Sequence, residues 1–158
     1  MTPPGGSALS DEPEIEIANQ QTTCPVDEAR IRQVVAAILH DAGICAGAIS
    51  IAVVDDPTIH ELNRRHLQHD YPTDVISFVL DREGSLLEGE VVVSADTAQS
   101  VAADLAWPTE DELLLYVVHG TLHLVGYDDV SDTLRAEMRE KERHYLAQFG
   151  LTPPWQPE

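Results

Sequence analysis

The chain has 158 residues, of which 43% are hydrophobic, and this length fits one domain with a substantial core. Lysine and arginine total 9 against 28 aspartates and glutamates, which gives a formal charge of −19. Such an acidic field repels polyanions over about a Debye length, roughly 8 Å at physiological salt. Composition alone therefore argues against nucleic-acid binding, and a hypothesis of that kind requires a local basic patch.

The composition also bounds where the protein works. No apolar run approaches the roughly 20 residues that a transmembrane helix needs, so we expect no membrane span. Residues 1–13 are acidic and rich in proline and glycine, without the basic start and apolar stretch of a signal peptide, and we expect a disordered tail there. Cys24 and Cys45 are far apart and form no CxxC pair, which predicts reduced thiols and a cytoplasmic location.

Hydrophobic periodicity predicts both strands and helices along the chain. Alternating or β-branched residues predict strands over 14–19, 48–56, 75–81 and 90–95, with a loop over 81–89. A 3.6-residue apolar repeat predicts helices over 25–43, 56–67, 96–106, 109–126 and 131–150. Because these strands and helices lack a regular βαβ alternation, we expect one α+β domain over 14–150, with a mixed sheet of roughly four strands and a tail over 151–158.

The helix predicted over 109–126 has the strongest pattern and carries the candidate site. Thr109 is expected as its N-cap, with Glu112 completing a capping box, and Gly126 is expected to end it. His119 and His123 are four residues apart, so they lie on one face, one turn apart.

A helix-ending glycine lets the chain fold back, which would bring Asp129 under the two histidines in the pattern H-x3-H-x2-G-x2-D. Two nitrogens and one carboxylate oxygen leave a coordination position open, as a catalytic zinc ion requires. We therefore expect one divalent metal ion, zinc in the first place, at His119, His123 and Asp129. Two alternatives stay open: the histidines are ordinary surface or core residues, or Asp128 replaces Asp129.

Zinc peptidases of the metzincin type share this spacing, but they carry a general-base glutamate directly after the first histidine. Here that residue is Gly120, which disfavours a peptidase.

The run HGTLHLVGYDD resembles the pattern HGxLHLxGYDH of the YbeY family of single-strand endoribonucleases. ELNRRHLQHDYPTDVISF, at 61–78, is similar to the family's LNxxYRxxDxPTDVLSF, and GEVVVSADTA, at 89–98, is similar to its GDIVIS strand and following helix. The resemblance covers most of residues 48–130. It implies a metzincin-like α+β fold with the metal site on a central helix. It further implies a zinc-dependent endoribonuclease in ribosomal RNA maturation and ribosome quality control, with RNA and the ribosome as partners.

The chain departs from the family pattern at two positions. The third ligand is usually histidine in the family, and here it is Asp129, which is also a sound zinc ligand. The family often has an arginine after the aromatic residue of LNxxYR, whereas this chain has Leu67 after His66. Nearby residues that could replace this arginine in binding RNA are Arg64, Arg65 and His69. An equally good interpretation is that the two arginines form an ordinary solvated helix face.

For three other residues we expect a structural role in the first place. Asp74 is expected to be a turn residue, with orientation of a metal ligand as the alternative. Phe78 and Tyr127 are expected in the core or in a cavity wall, because the sequence offers no stacking platform for bases.

The sequence singles out no general base. Two other functions also remain compatible with it. One is a metal-dependent hydrolase of a different substrate. The other is a non-catalytic ribosome assembly factor whose metal is structural.

Overall fold

The computed structural model describes residues 12–67 and 73–154. Within these ranges the strands are β1 (Glu14–Asn19), β2 (Ala46–Val54), β3 (Val75–Glu83) and β4 (Leu86–Ser94). The helices are α1 (Glu28–Asp41), α2 (Asp56–Leu67), α3 (Ala95–Leu105), α4 (Thr109–Leu124) and α5 (Asp132–Ala147). Residues 1–11 and 155–158, which include most of the predicted tails, lie outside the described part of the chain.

The strands form one mixed sheet in the order β1-β2-β4-β3. β1 pairs parallel to β2, β2 pairs parallel to β4, and β3 pairs antiparallel to β4 at the edge. Parallel neighbours need a crossover connection, which α1 supplies between β1 and β2. The predicted α+β class with a four-stranded mixed sheet is thereby confirmed.

The loop predicted over 81–89 is wrong, because β3 and β4 form a hairpin there. Glu83 pairs with Leu86, and Gly84 turns the chain with a φ of +58°. The sequence misleads because β3 is an edge strand whose second half, from Val79 to Glu83, is exposed and largely charged. Backbone pairing with β4, rather than an apolar side-chain pattern, holds this half in the sheet.

Helix α4 lies at the centre of the molecule. It packs on one face of the sheet, where it contacts α1, α3, α5, β3 and β4. The approach is closest at Gly120, where an added Cβ would lie 2.5 Å from Cγ1 of Val91 and 2.9 Å from Cγ2 of Val75. Ser77 fixes the same turn by donating its hydroxyl to the Gly120 carbonyl at 2.9 Å. The segment between the two histidines is thus held tightly on the sheet.

Helix α2 belongs to a second, smaller apolar cluster. Its Ile59 and Leu62 pack with Ile76, Phe78 and Val92. Strand side chains alternate between faces, and Val75 and Val91 contact α4. Helix α2 therefore covers the face of the sheet opposite α4.

The predicted cap of α4 is also wrong. Pro108 is the N-cap residue, no side chain makes a capping hydrogen bond, and Thr109 is already helical. Instead of closing a capping box, the Glu112 carboxylate accepts a 2.8 Å hydrogen bond from the Trp107 indole N–H. Burial explains the change, because Glu112 is only 3% exposed and takes as its partner Trp107, which packs against the core.

Candidate metal centre

The two histidines of α4 meet at their outer ring nitrogens. Nε2 of His119 lies 3.1 Å from Nε2 of His123, and both side chains are about one quarter exposed. Gly126 has a φ of +112°, and the amide of Tyr127 donates to the Leu122 carbonyl at 3.0 Å. This is a Schellman ending, which reverses the chain immediately after the histidines.

The reversed chain brings Asp129 under the pair. Its Oδ2 lies 3.5 Å from Nε2 of His119, and its Oδ1 lies 3.7 Å from Nε2 of His123. Ligand atoms about 2.0–2.1 Å from one tetrahedral ion are about 3.3–3.4 Å apart, so the three observed separations suit a shared zinc ion. Asp128 has a different position, since its Oδ1 accepts the backbone N–H of Asp129 at 2.8 Å.

A carboxylate that sequence reasoning missed stands behind His119. Oε2 of Glu142, on α5, lies 2.7 Å from Nδ1 of His119, and the Glu142 side chain is only 2% exposed. The other oxygen, Oε1, is 3.6 Å from Nη1 of Arg139. The available sequence signal was an acid on the buried stripe of α5, between Met138 and Tyr145.

The surroundings move the pKa values of the two histidines in opposite directions. Burial alone would lower the pKa of His119, but the hydrogen bond and charge of Glu142, with the charge of Asp129, raise it overall. The pKa of His123 is lowered by burial and by the neighbouring charge of His119, against the attraction of Asp129. The buried Glu142 therefore acts mainly on one of the two imidazoles.

A cavity of about 630 Å³ opens beside the histidine–aspartate group. His119 and Asp129 form part of its wall, and its other ionisable lining residues are Asp74, Glu112, Tyr116, Arg135, Arg139 and Glu142. Burial raises the pKa of the Glu112 carboxyl, and the charges of Asp74 and Glu142 add to the effect. The site thus has room for a molecule next to the three clustered side chains.

Asp74 makes the contacts of the turn residue that the sequence predicts. Its Oδ1 accepts the N–H of Val75 at 2.8 Å, and its carbonyl accepts the N–H of Ser94 at 3.0 Å, as expected of a turn residue. It also lines the cavity. Phe78 and Tyr127 are partly buried against the two apolar clusters.

The structure separates the basic segment of α2 from this site. Arg64 forms a bidentate ion pair with Glu61 at 2.7 and 2.8 Å, and Arg65 lies 3.9 Å from the same carboxylate. Both arginine side chains are more than half exposed, and neither lines the cavity. His69 lies outside the described residues.

Among the described residues, no helix combines the length and apolar character that crossing a membrane would require.

Comparison with known proteins places the whole core in one family. The family model described as endoribonuclease YbeY matches residues 16–150. Proteins named Endoribonuclease YbeY are similar to the chain. The Rhodopirellula baltica protein is 48% identical over 114 residues, which are 71% of this chain and 59% of that relative. The Chloroherpeton thalassium protein is 41% identical over 120 residues, or 76% and 84% of the two chains.

A solved structure agrees with the fold. The solution structure of a Thermotoga maritima protein matches 85% of this chain and 87% of its own, with a TM-score of 0.61 and 28% identity. The match to the family model extends beyond the motifs, since it includes most of β1, all of α1 and the whole of α5 with Glu142.

Proposed function

Since the chain belongs to the endoribonuclease YbeY family, we propose that it is a zinc-dependent enzyme that cleaves single-stranded RNA. It would act in the cytoplasm, in ribosomal RNA maturation and ribosome quality control, with precursor RNA of the small subunit and the ribosome as partners. The observation that carries the proposal is the group of His119, His123 and Asp129 at the wall of an open cavity.

The donor set fits zinc. Two imidazole nitrogens and a carboxylate oxygen lie 3.1 to 3.7 Å apart, and zinc accepts both kinds of ligand. When bound, a zinc ion supplies Lewis acidity and lowers the pKa of water to about 7. Structural zinc sites are closed by four protein ligands, whereas catalytic sites keep a position open. Among the described residues the donor set has three members and lies beside a cavity, which favours a catalytic role over a structural one.

The chain's own residues prepare this site. Glu142 holds a proton at Nδ1 of His119, which directs the lone pair of Nε2 toward His123 and Asp129. The packing of Gly120 against Val91 and Val75 fixes the helix turn that carries both histidines. Asp128 holds the backbone amide of Asp129 and so orients its carboxylate. Little conformational freedom is then lost when a metal binds.

The test is cleavage of a labelled single-stranded RNA by the purified protein, with chelator and after zinc is added back. We expect one zinc per chain by elemental analysis, cleavage that chelator abolishes, and loss of both metal and cleavage in the His119→Ala/His123→Ala variant. His40→Ala, an exposed histidine of α1, is the matched control and should retain both.

The other outcomes identify the alternatives. Full metal content in the double variant would refute the site. Intact RNA with zinc bound would refute the endoribonuclease and leave a hydrolase of another substrate or an assembly factor. A metal that raises the melting temperature without any hydrolytic activity would indicate the assembly factor.

A further inference from the structure

We propose that Arg135 and Arg139 of α5 form the phosphate-binding wall of the cavity and hold an RNA phosphodiester beside the metal ligands. The inference deepens the proposed function and rests on it. It assigns the cationic contact beside the metal ligands to α5, on the α4 side of the sheet, and leaves the basic segment of α2 as a peripheral contact.

The first observation is the orientation of α5. Arg135, Met138, Arg139 and Glu142 all line the cavity, and their spacing of three, four and seven residues places them on one helix face. Met138 and Glu142 are buried at the base of this face, and the Arg135 and Arg139 side chains are 42% and 33% exposed. The two guanidinium groups therefore lie at the cavity wall, where a bound molecule could reach them.

The second observation is charge. The described lining of the cavity includes four carboxyl residues, which are Asp74, Glu112, Asp129 and Glu142. In a protein of formal charge −19, such a site would repel a phosphodiester that no cationic side chain contacts. Among the described residues that line the cavity, the arginines are Arg135 and Arg139, and no lysine is present. The guanidinium group also has the planar donor geometry that binds phosphate oxygens in pairs.

The third observation concerns the ion pairs that the two arginines form with carboxylates of their own helix. Nη1 of Arg135 lies 2.9 Å from Oδ1 of Asp132, but that carboxylate is fully exposed, and exposed pairs contribute little. Nη1 of Arg139 lies 3.6 Å from Oε1 of Glu142, beyond hydrogen-bonding distance. A phosphate oxygen can therefore accept hydrogen bonds from Arg135 without breaking a strong ion pair.

The experiment measures RNA binding separately from cleavage. Fluorescence anisotropy of a short labelled single-stranded RNA, read before appreciable cleavage, gives the Kd of the zinc-loaded protein over a series of KCl concentrations. For Arg135→Gln/Arg139→Gln we expect binding weaker by roughly ten- to a hundredfold. The slope of log Kd against log salt should fall by up to about 1.4, since each phosphate contact with a single strand contributes about 0.7.

Arg143→Gln is the matched control. Arg143 belongs to the same helix, but it lies on another face, with Ala136 and Glu140, and should leave the salt slope unchanged. Arg139→Lys retains the charge, so it should keep most of the wild-type salt slope but lose part of the affinity for RNA. If the arginines served only to neutralise Glu142, the double variant would change zinc affinity and leave the RNA slope as it was.

The outcomes separate this inference from the proposed function. Wild-type protein that binds RNA without cleaving it would refute the enzyme, while the slope of the double variant would still decide the role of the arginines. Unchanged Kd and slope in a folded, zinc-loaded double variant would overturn the inference. Wild-type protein that binds no RNA would overturn both.

Discussion

Oε2 of Glu142 lies 2.7 Å from Nδ1 of His119, and this contact joins two residues that are 23 positions apart and lie on different helices. Because Nδ1 is engaged by the carboxylate, Nε2 of His119 is the nitrogen directed toward Asp129. A carboxylate behind a histidine fixes its tautomer and makes it a more basic ligand. The helix α5 thus contributes to the site through a residue outside the three-residue group itself.

Replacing Glu142 with glutamine should weaken zinc binding by roughly 10- to 100-fold, because the negative charge behind His119 is lost. A competition titration with a zinc-binding dye measures the change. Glu140→Gln, an exposed residue of the same helix, is the control and should bind zinc as the wild type does. Equal zinc affinity in Glu142→Gln and Glu140→Gln would contradict a positioning role for Glu142.

Asp129→Ala should weaken zinc binding strongly, since it removes the carboxylate that lies 3.5 and 3.7 Å from the two histidine nitrogens. Asp128→Ala should have a smaller effect, of roughly 10- to 100-fold, because Asp128 supports the backbone of Asp129. Asp129→His should still bind zinc. The same dye titration ranks the variants, and the opposite order of the two alanine variants would show that Asp128 is the ligand.

Glu112 should make the protein less stable as pH rises. Burial raises the pKa of its carboxyl in the folded state, so the unfolded chain loses the proton more readily. Stability is therefore lost as pH rises from below the ordinary value of about 4.3 up to the raised folded pKa. The residues that face Glu112 are Trp107 and Tyr116, which stabilise its charge, and Asp74 and Glu142, which oppose it.

Glu112→Gln removes this titration and keeps an acceptor for the Trp107 indole. We therefore expect the difference in melting temperature between the variant and wild type, both metal-free, to be more favourable to the variant at neutral pH than at about pH 4. Thermal melting of both proteins across this range measures the difference. A difference that does not vary with pH would mean that Glu112 titrates normally.

Arg64 and Arg65 remain a proposed peripheral RNA contact on the far side of the sheet. Neutralising both with glutamine should weaken RNA binding and reduce its salt slope by at most about 1.4, less if Glu61 keeps the two arginines engaged. Anisotropy titrations in parallel with the Arg135→Gln/Arg139→Gln variant compare the two helices. An unchanged slope would show that Arg64 and Arg65 only face solvent.

The sequence by itself determined the features that depend on neighbouring residues. The spacing of His119 and His123 fixes their common face, and Gly126 reverses the chain within a few residues, so the approach of Asp129 follows from local geometry. The class of fold and the presence of a four-stranded sheet were likewise predictable, because most of the strands carry their own apolar pattern. The cap at Thr109 and the loop at 81–89 were predicted wrongly, since burial and strand pairing overrode the local pattern.

Only the tertiary structure decided what surrounds the candidate metal ligands. Glu142 reaches His119 because α5 packs against α4, and sequence spacing cannot specify such a contact between separate helices. The same packing places Arg135 and Arg139 in the cavity wall, while the helix that carries Arg64 and Arg65 packs on the opposite face of the sheet. Long-range packing depends on the fit of whole faces, so the charges that meet at this site are set by the fold rather than by any one segment.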